Sequence, residues 1–558
     1  MMATITIFMK NHLVAHILNR VADYMELAGD EFRTKAYRRA ARTVEFLNED
    51  IEDVASQGRL QELPGVGRNI SAKIEEILAT GSLELLERLS EEYPVDLDSL
   101  LSVEGVGPRT VKLLYEELGI KTLADLEEQA RRHRLRRLPG MGDKREAMIL
   151  RNIELARSRI SRRPLAYVVP LASRIKSGLL ELEEVQRVEV AGSIRRGRET
   201  VGDIDILVTA TDPEAVMDHF TSMDEVEEVV VRGPRKSTVR LREGLDCDLR
   251  VFDDEVFGSA LLYFTGSWEF NVELRRRAIS SSMKLSEYGL FRGHERVAGR
   301  TEAEVLEALG LSYIEPELRE NRGEVEAAAR GELPELVTPA DIRGDLHMHS
   351  LFSDGVDTVE QMAEYASVLG REYIAITDHA RYIDDPDAYL RAAERIEEIE
   401  VLAGVEVSIL PDGSLEVPDR FLRDFDLVVA SIHEPGNLTE RLLAAMDHDP
   451  VSIIGHPTGR VLGSPEPVVD IERVIEGAAD AGVALEVNSN PLRLDLRDSH
   501  VKMAVDMGCR IAINSDAHSR GGLENIRWGV ITARRGWAEA ENVLNTMGLR
   551  RFMKWLRG

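Results

Sequence analysis

Gly192-Ser193-Ile194-Arg195-Arg196-Gly197-Arg198-Glu199-Thr200-Val201-Gly202-Asp203-Ile204-Asp205 is the stretch on which the reading of this chain turns. Ahead of it, Val188-Glu189-Val190-Ala191 alternates apolar and polar residues and predicts a strand; behind it, Ile206-Leu207-Val208 predicts another. Strand side chains alternate with period two, so Asp203 and Asp205 leave the same face. Adjacent carboxylates repel unless a cation lies between them, and hard oxygen ligands suit Mg²⁺, whose shell substrate phosphates commonly complete. Gly192, Ser193, Arg195, Arg196 and Gly197 add backbone amides, a hydroxyl and guanidinium forks, the donors that phosphate recognition uses. Asp-x-Asp alone marks many ordinary strand ends. The glycine-serine-arginine lead at this distance turns the reading toward phosphoryl or nucleotidyl transfer. A third carboxylate is available in Leu245-Asp246-Cys247-Asp248-Leu249-Arg250-Val251, a later predicted strand; Asp246 and Asp248 share a face, so spacing leaves both open.

The bulk properties bound the rest. A chain of 558 residues is long for one core and predicts three or four domains. Its 43% hydrophobic and 30% charged residues are ordinary for a soluble globular protein, and no apolar run approaches the twenty residues of a membrane span. The start, Met1 to Lys10, lacks the basic lead and small-residue cleavage site of a secretion signal; Met9 is an alternative start, with residues 1–8 an extension. Two cysteines, Cys247 and Cys509, exclude a disulfide framework or a cysteine zinc ribbon and predict a cytoplasmic protein. The net charge of −29 weighs against a generic nucleic-acid binder. Local charge matters more to phosphates than the total, however, and residues 131–163 hold 12 Lys+Arg against 3 Asp+Glu, whereas residues 341–558 hold 22 against 38.

Residues 11–60 show helical periodicity, with a basic segment from Arg33 to Arg39. An internal repeat follows: Leu63-Pro64-Gly65-Val66-Gly67, Val103-Glu104-Gly105-Val106-Gly107 and Leu138-Pro139-Gly140-Met141-Gly142 each open a helical pattern. Glycines two apart make a tight hairpin with outward-facing amides, and such helix-hairpin-helix elements grip DNA backbone phosphates without reading sequence. A single Gly-x-Gly also caps helices for structural reasons; three copies with basic flanks favour DNA contact at Gly65, Gly67, Gly105, Gly107, Gly140 and Gly142.

The Gly-Ser-x-Arg-Arg-Gly run, Asp-x-Asp and the later strand Asp resemble the nucleotidyltransferase core of the family X DNA polymerases, of which DNA polymerase beta is the best-known type. The resemblance implies that Asp203, Asp205 and Asp248 form a metal-binding catalytic triad for Mg²⁺ or Mn²⁺. It implies that Gly192, Ser193, Arg196 and Gly202 belong to the pocket of an incoming dNTP. The segment Tyr263-Phe264-Thr265-Gly266-Ser267 matches the family's Tyr-Phe-Thr-Gly-Ser. It implies that Tyr263 and Phe264 lie against the sugar, that Gly266 and Ser267 line the nucleotide pocket, that Asn271 meets the minor-groove edge and that Arg275 approaches the template. Lys73, on the helix after the first hairpin, falls where the family's lyase domain has its Schiff-base lysine; a plain contact to a 5′ phosphate is the other reading. Departures from the family pattern are Ser281-Ser282, Ser286, Trp268, and Asp246 where polymerase beta has a basic residue.

From Gly344 onward, apolar strands end in ligand-type residues and alternate with helical patterns, which predicts parallel strands covered by helices with a site at the strands' C-terminal ends. Asp345-Leu346-His347-Met348-His349 is followed by Asp354; Asp378-His379, Glu406, His433, His456-Pro457 and Asp516-Ala517-His518 follow in turn. Six His, two Asp and one Glu are too many for one ion and suit two or three borderline ions such as Zn²⁺ or Mn²⁺. These residues resemble the PHP (polymerase and histidinol phosphatase) domain, a distorted seven-stranded barrel with a trinuclear site. All nine of that family's ligand positions are matched: His347, His349, Asp354, His379, Glu406, His433, His456, Asp516 and His518.

The chain is thus identified as a multidomain α+β and α/β protein of the bacterial or archaeal family X type with a C-terminal PHP domain. The expected layout is a lyase-like helical domain (9–90), a fingers-like domain with two hairpins (91–165), a mixed-sheet palm (166–255), a thumb (256–318), a linker (319–343) and a (β/α)7 barrel (344–558). The resemblance implies a monomer that fills short gaps in nicked or gapped double-stranded DNA during base-excision or break repair. It further implies a metal-dependent 3′→5′ exonuclease, with cleavage at abasic sites as an additional activity. The rival readings are a phosphoesterase with vestigial polymerisation and a DNA-end-binding scaffold.

Overall fold

The computed structural model describes residues 2–45, 47, 51–80, 83–101, 103, 105–160, 162–434 and 436–557. Glu104 of the second hairpin and Ser161 of the basic stretch lie outside them. Among the described residues, no helix is long and apolar enough to cross a membrane.

The N-terminal helix Met2–Ala28 packs on the helix Glu31–Glu45. Val14, Leu18, Val21 and Met25 recur at spacings of four and three, so one stripe of the first helix enters the core, and all four are at most 4% exposed. The three hairpins follow a common plan. The residue between each pair of glycines, Val66, Val106 or Met141, is buried, which anchors the turn and leaves the glycine amides at the start of the next helix (Arg68–Thr80, Pro108–Leu118, Asp143–Ile160). Arg145 joins the second and third hairpins by donating to the carbonyls of Gly105 (2.9 Å) and Gly140 (3.3 Å).

The strands, in chain order, are β1 (Arg163–Pro164), β2 (Val185–Val190), β3 (Thr200–Val201), β4 (Asp203–Ala210), β5 (Val226–Arg232), β6 (Lys236–Leu241), β7 (Asp246–Val251), β8 (Lys284–Ser286), β9 (Gly289–Arg292), β10 (Glu295–Ala298), β11 (Gly344–Asp345), β12 (Tyr373–Ile376), β13 (Glu400–Ser408), β14 (Leu427–Ser431), β15 (Ile453–Gly455), β16 (Ala484–Asn488) and β17 (Ile511–Asn514). The palm sheet runs β2-β4-β7-β6-β5, antiparallel except for the parallel β4/β7 pair. Helix Leu165–Leu180 buries Val168, Leu171 and Ile175 in the core that covers it. The thumb combines helices Phe257–Thr265, Trp268–Ser280 and Glu302–Ala308 with the small sheet β8-β9-β10.

The segment read from sequence as a linker is well packed at its start. It carries the helix Glu324–Arg330, and Arg319 is fully buried. Glu302 explains why: it accepts from Arg195 (2.7 and 2.6 Å) in the palm and from Arg319 (2.6 Å), so two guanidiniums satisfy one carboxylate at the palm–thumb junction.

In the C-terminal third, β11 to β17 pair in sequential order, all parallel. A parallel bridge between Met348 and Ala517 brings the first and last strand segments together, leaving a nearly closed seven-stranded barrel of the expected (β/α)7 kind. Its interior layer, including Leu346, Tyr373, Leu427, Ile453 and Ala512, is plugged from one end by Phe552 of the helix Leu549–Leu556, which stacks on Tyr373 at 5.4 Å. Ligand-type residues are therefore confined to the other end.

Burial acts to raise the Glu302 pKa, but the hydrogen bonds and charges of Arg195 and Arg319 win and hold it at about 2, against an ordinary 4.5. That difference corresponds to about 3 kcal/mol of stability, fully present above the ordinary value and lost as pH falls from there toward 2. Glu302→Gln is expected to cost about this much at pH 7, and the gap between variant and wild type to close below pH 4 when urea unfolding is followed against pH.

Candidate active sites of the palm and the barrel

The parallel register of β4 and β7 sets Asp203 opposite Asp246 and Asp205 opposite Asp248. In this register Asp246 and Asp248 stay on one face, and they differ in their partners. Asp246 is engaged by Arg240 (2.6 Å), whereas Asp248 shares the Arg250 guanidinium with Asp205, at 2.6 and 3.1 Å. Thr238 also donates to Asp248 Oδ1 (2.5 Å). Burial, the neighbouring Asp203 and, to a smaller extent, Asp248 push Asp205 up to about 6 against the pull of Arg250. Two carboxylates forced together around a single guanidinium make a centre short of positive charge, as a divalent-ion site is before it is filled.

The glycine-serine-arginine run folds back over this pair. Gly192 has φ +61°, and a Cβ there would lie 2.6 Å from Asp205 Oδ2, so only glycine lets the backbone approach the carboxylate. The Ser193 hydroxyl is buried among the protein atoms without a partner. Arg196 donates from Nε to Glu320 (3.0 Å) and from Nη1 to the Thr265 carbonyl. Gly266 leaves room for that guanidinium, since a Cβ on it would stand 3.0 Å from Arg196 Nη1. Gly202 lies beside Arg162. The Ser267 hydroxyl is spent on capping the helix Trp268–Ser280. Asn271 donates to the Tyr263 carbonyl (2.7 Å), and Tyr263, Asn271 and Arg275 line one small cavity together with Ser286. Phe264 lies under the Arg250 guanidinium, 4.4 Å from ring centre to Cζ. Lys73 is half-buried on Arg68–Thr80, and its Nζ donates to the Asn69 carbonyl (3.2 Å).

At the open end of the barrel all nine predicted ligands converge. Three overlapping groups can each hold an ion: His349, Asp354, His379 and His518; His347, His349 and Glu406; His379, Glu406 and His433. His456 Nε2 lies 3.4 Å from Glu406 Oε1, and Asp516 Oδ1 lies 3.4 Å from His349 Nε2. Glu406 is 1% exposed, and its Oε2 meets His379 Nδ1 at 2.8 Å; His347 Nε2 and both nitrogens of His349 are buried without a hydrogen-bond partner. A buried carboxylate ringed by imidazole nitrogens is costly unless positive charge is shared among them. Two ligands each about 2.1 Å from a tetrahedral ion stand roughly 3.4 Å apart, and His433 Nε2 and His456 Nε2 stand 3.4 Å from Glu406, His347 Nε2 and His349 Nε2 3.6 Å. The residues therefore fit a multinuclear metal cluster with Glu406 at its centre. Burial disfavours charge on His379, yet Glu406 and Asp354 raise its pKa to about 10, and a divalent ion supplies the same countercharge.

Several residues outside the sequence-based set hold these groups in place. Glu486 on β16 accepts from His347 Nδ1 (2.7 Å), the His456 amide (2.6 Å), Asn514 (2.9 Å) and Asn488 (3.0 Å). That leaves His347 Nε2 facing the cluster. The alternation Leu485-Glu486-Val487-Asn488 in a buried strand was the available signal. Asp378 is an anchor, accepting from the Ser350 amide (2.8 Å) and hydroxyl (2.6 Å) and so fixing the loop that carries Asp354. Arg42, from the first domain, reaches the rim of the cluster, 2.6 Å from Asp354 Oδ2 and 3.1 Å from His518 Nε2. Arg250, two residues after Asp248 on the same face, was also legible and went unread.

Family models match for a helix-hairpin-helix domain (residues 9–83), a SAM-like helix-hairpin-helix tandem (97–154), the DNA polymerase beta palm (162–242), the DNA polymerase beta thumb (260–320) and the PHP domain (345–456). The chain is 35% identical to the DNA polymerase/3′-5′ exonuclease PolX of Bacillus subtilis, over 96% of this chain and 97% of that protein. It is 27% identical to DNA polymerase lambda of Arabidopsis thaliana over 55% of this chain and 62% of that one. A probable phosphatase of Caldanaerobacter subterraneus is 35% identical over 31% of this chain and 75% of its own length.

Because Glu486 orients His347 and spends its oxygens on hydrogen bonds, Glu486→Ala is expected to weaken retention of divalent metal by about 10- to 100-fold while the fold is kept. Metal content after dialysis against graded chelator, read by elemental analysis, checks this.

Proposed function

The chain belongs to the family X DNA polymerases that carry a PHP domain, and from that membership we propose that it fills short gaps in double-stranded DNA and trims 3′ ends with its barrel. One observation carries the reading: a three-carboxylate palm and a nine-ligand barrel cluster lie in one chain that matches a polymerase/exonuclease along nearly its whole length. The same coverage weighs against a mere phosphoesterase, since the palm and thumb match as well.

In this reading Asp203, Asp205 and Asp248 hold Mg²⁺ or Mn²⁺, and the barrel ligands hold two or three Zn²⁺ or Mn²⁺ ions. When bound, such ions lower the pKa of a hydroxyl or water and offset charge on phosphate oxygens. In the palm, the primer 3′-oxygen attacks the α-phosphorus of a dNTP, the bond to the bridging oxygen breaks and pyrophosphate leaves. Ser193 and Arg196 supply donors to the triphosphate, a role supported by the unpartnered buried Ser193 hydroxyl. Tyr263 and Phe264 face the sugar, and Asn271 and Arg275 the base pair. In the barrel, hydroxide attacks the terminal phosphodiester and the shortened strand leaves with a free 3′-hydroxyl. The hairpin amides at the paired glycines hold the duplex backbone, which suits excision and break repair.

On a one-nucleotide-gapped duplex with dNTPs and Mn²⁺, Asp205→Ala is expected to lose primer extension at least 100-fold and keep shortening. His379→Ala is expected to do the reverse. Shortening without any extension by the wild type sinks the polymerase reading; chelation that leaves turnover intact sinks both metal sites.

Lys73 is read as a contact to the 5′ phosphate of the gap, because the residue is only partly buried and its ammonium bonds a backbone carbonyl at an exposed position. Lys73→Ala is expected to weaken binding to a 5′-phosphorylated gap about fivefold and to leave a 5′-hydroxyl gap unaffected. Titration by fluorescence anisotropy separates the two, and borohydride trapping of an abasic substrate on Lys73 reverses the assignment.

A further inference from the structure

The barrel forms one wall of the loop that carries Arg196. Arg535, 3% exposed at the end of the helix Ile526–Arg535, donates from Nη1 to the Arg196 carbonyl (2.6 Å) and to Glu320 Oε1 (3.1 Å), and from Nη2 to Asp498 Oδ2 (2.7 Å). Glu320 accepts in turn from Arg196 Nε (3.0 Å) and Arg198 Nη1 (3.2 Å), and Asp498 from Arg322 (3.1 Å). On the other side of the loop Arg460, 4% exposed, forks Glu199 at 2.8 and 2.9 Å. Between these anchors Gly197 has φ +63°, and any Cβ there would overlap Ile531, so the loop backbone lies directly on the barrel's helix.

The charges in this junction are unequal. The hydrogen-bonded set around Arg535 contains four guanidiniums (Arg196, Arg198, Arg322, Arg535) and two carboxylates (Glu320, Asp498). That set therefore carries a net charge of +2. A junction with an excess of positive charge favours a polyanion entering at the loop.

We propose that Arg535 is a positioning residue of the polymerase site: through the Arg196 carbonyl and Glu320 it holds the 196–199 loop so that the Arg196 guanidinium meets the triphosphate of the incoming nucleotide. The proposal rests on the reading of Arg196 given above. Arg535 acts through Arg196, so the barrel sets nucleotide affinity at a centre whose carboxylates it does not share.

The test uses the full chain on gapped duplex. Arg535→Met keeps the bulk of the stem and removes the fork. It is expected to raise the KM for dNTP about tenfold with kcat changed less than about threefold, and to leave primer shortening at the wild-type rate. Arg196→Ala raises KM as well, and the double variant is no worse than Arg196→Ala alone, as expected when one residue acts through the other. Arg535→Lys, a point charge that cannot bridge three acceptors, restores only part of the affinity. If Arg535→Met proves unfolded by thermal melting, Arg535→Lys retains the buried charge and carries the same KM comparison. A wild-type KM in the Arg535 variants beside a raised KM in Arg196→Ala overturns the proposal and leaves the function untouched. A wild-type KM in both overturns the proposal together with the assigned role of Arg196.

Discussion

Acidic side chains packed a few ångströms apart in a poorly solvated cleft repel one another by several kcal/mol, and the fold must hold them there before any countercharge arrives. This chain meets that constraint twice, by different means. In the palm, strand register does the holding: Asp205 and Asp248 are neighbours because β4 and β7 run parallel in step, and Arg250 blunts their repulsion without removing it. In the barrel the ligands sit on separate strand ends around Glu406, and histidines alternate with carboxylates so that each acid faces imidazole nitrogens.

The means differ because the tasks differ. A palm centre must admit a primer end and a nucleotide, so its carboxylates stay partly open at the sheet edge, with Asp203 exposed. The barrel centre is more enclosed, with His347, His349 and Glu406 almost wholly buried. Phe552 seals the opposite end of the barrel, and the interior layer gives the ligand-bearing loops a rigid floor.

What the sequence made legible follows from how local each signal is. Period-two alternation placed Asp203 and Asp205 on one face, and repeated Gly-x-Gly turns revealed the hairpins, because both are written in adjacent residues. The different partners of Asp246 and Asp248 depend on neighbouring strands, and strand register is a long-range property. Glu486 was missed because the alternation around it marks an inward polar residue without saying what it meets; its four hydrogen bonds disclose its part. Arg319 and Glu320 were read as linker because their neighbours are rich in Glu and Ala, whereas their burial depends on Arg195 and Glu302 in distant elements and on an arginine more than two hundred residues on.

Leu494 and Trp528, from the C-terminal barrel, are members of the palm's own apolar core, with Leu462 and Ile531 packed against it. A gene shortened near residue 343 would therefore strip a hydrophobic flank from the polymerase half, exposing surface that invites aggregation. Homology divides this protein into separable modules, but its core does not break at the same place. The palm and barrel share an apolar seam, and loss of the nuclease in a descendant would require the palm to evolve a new polar exterior there.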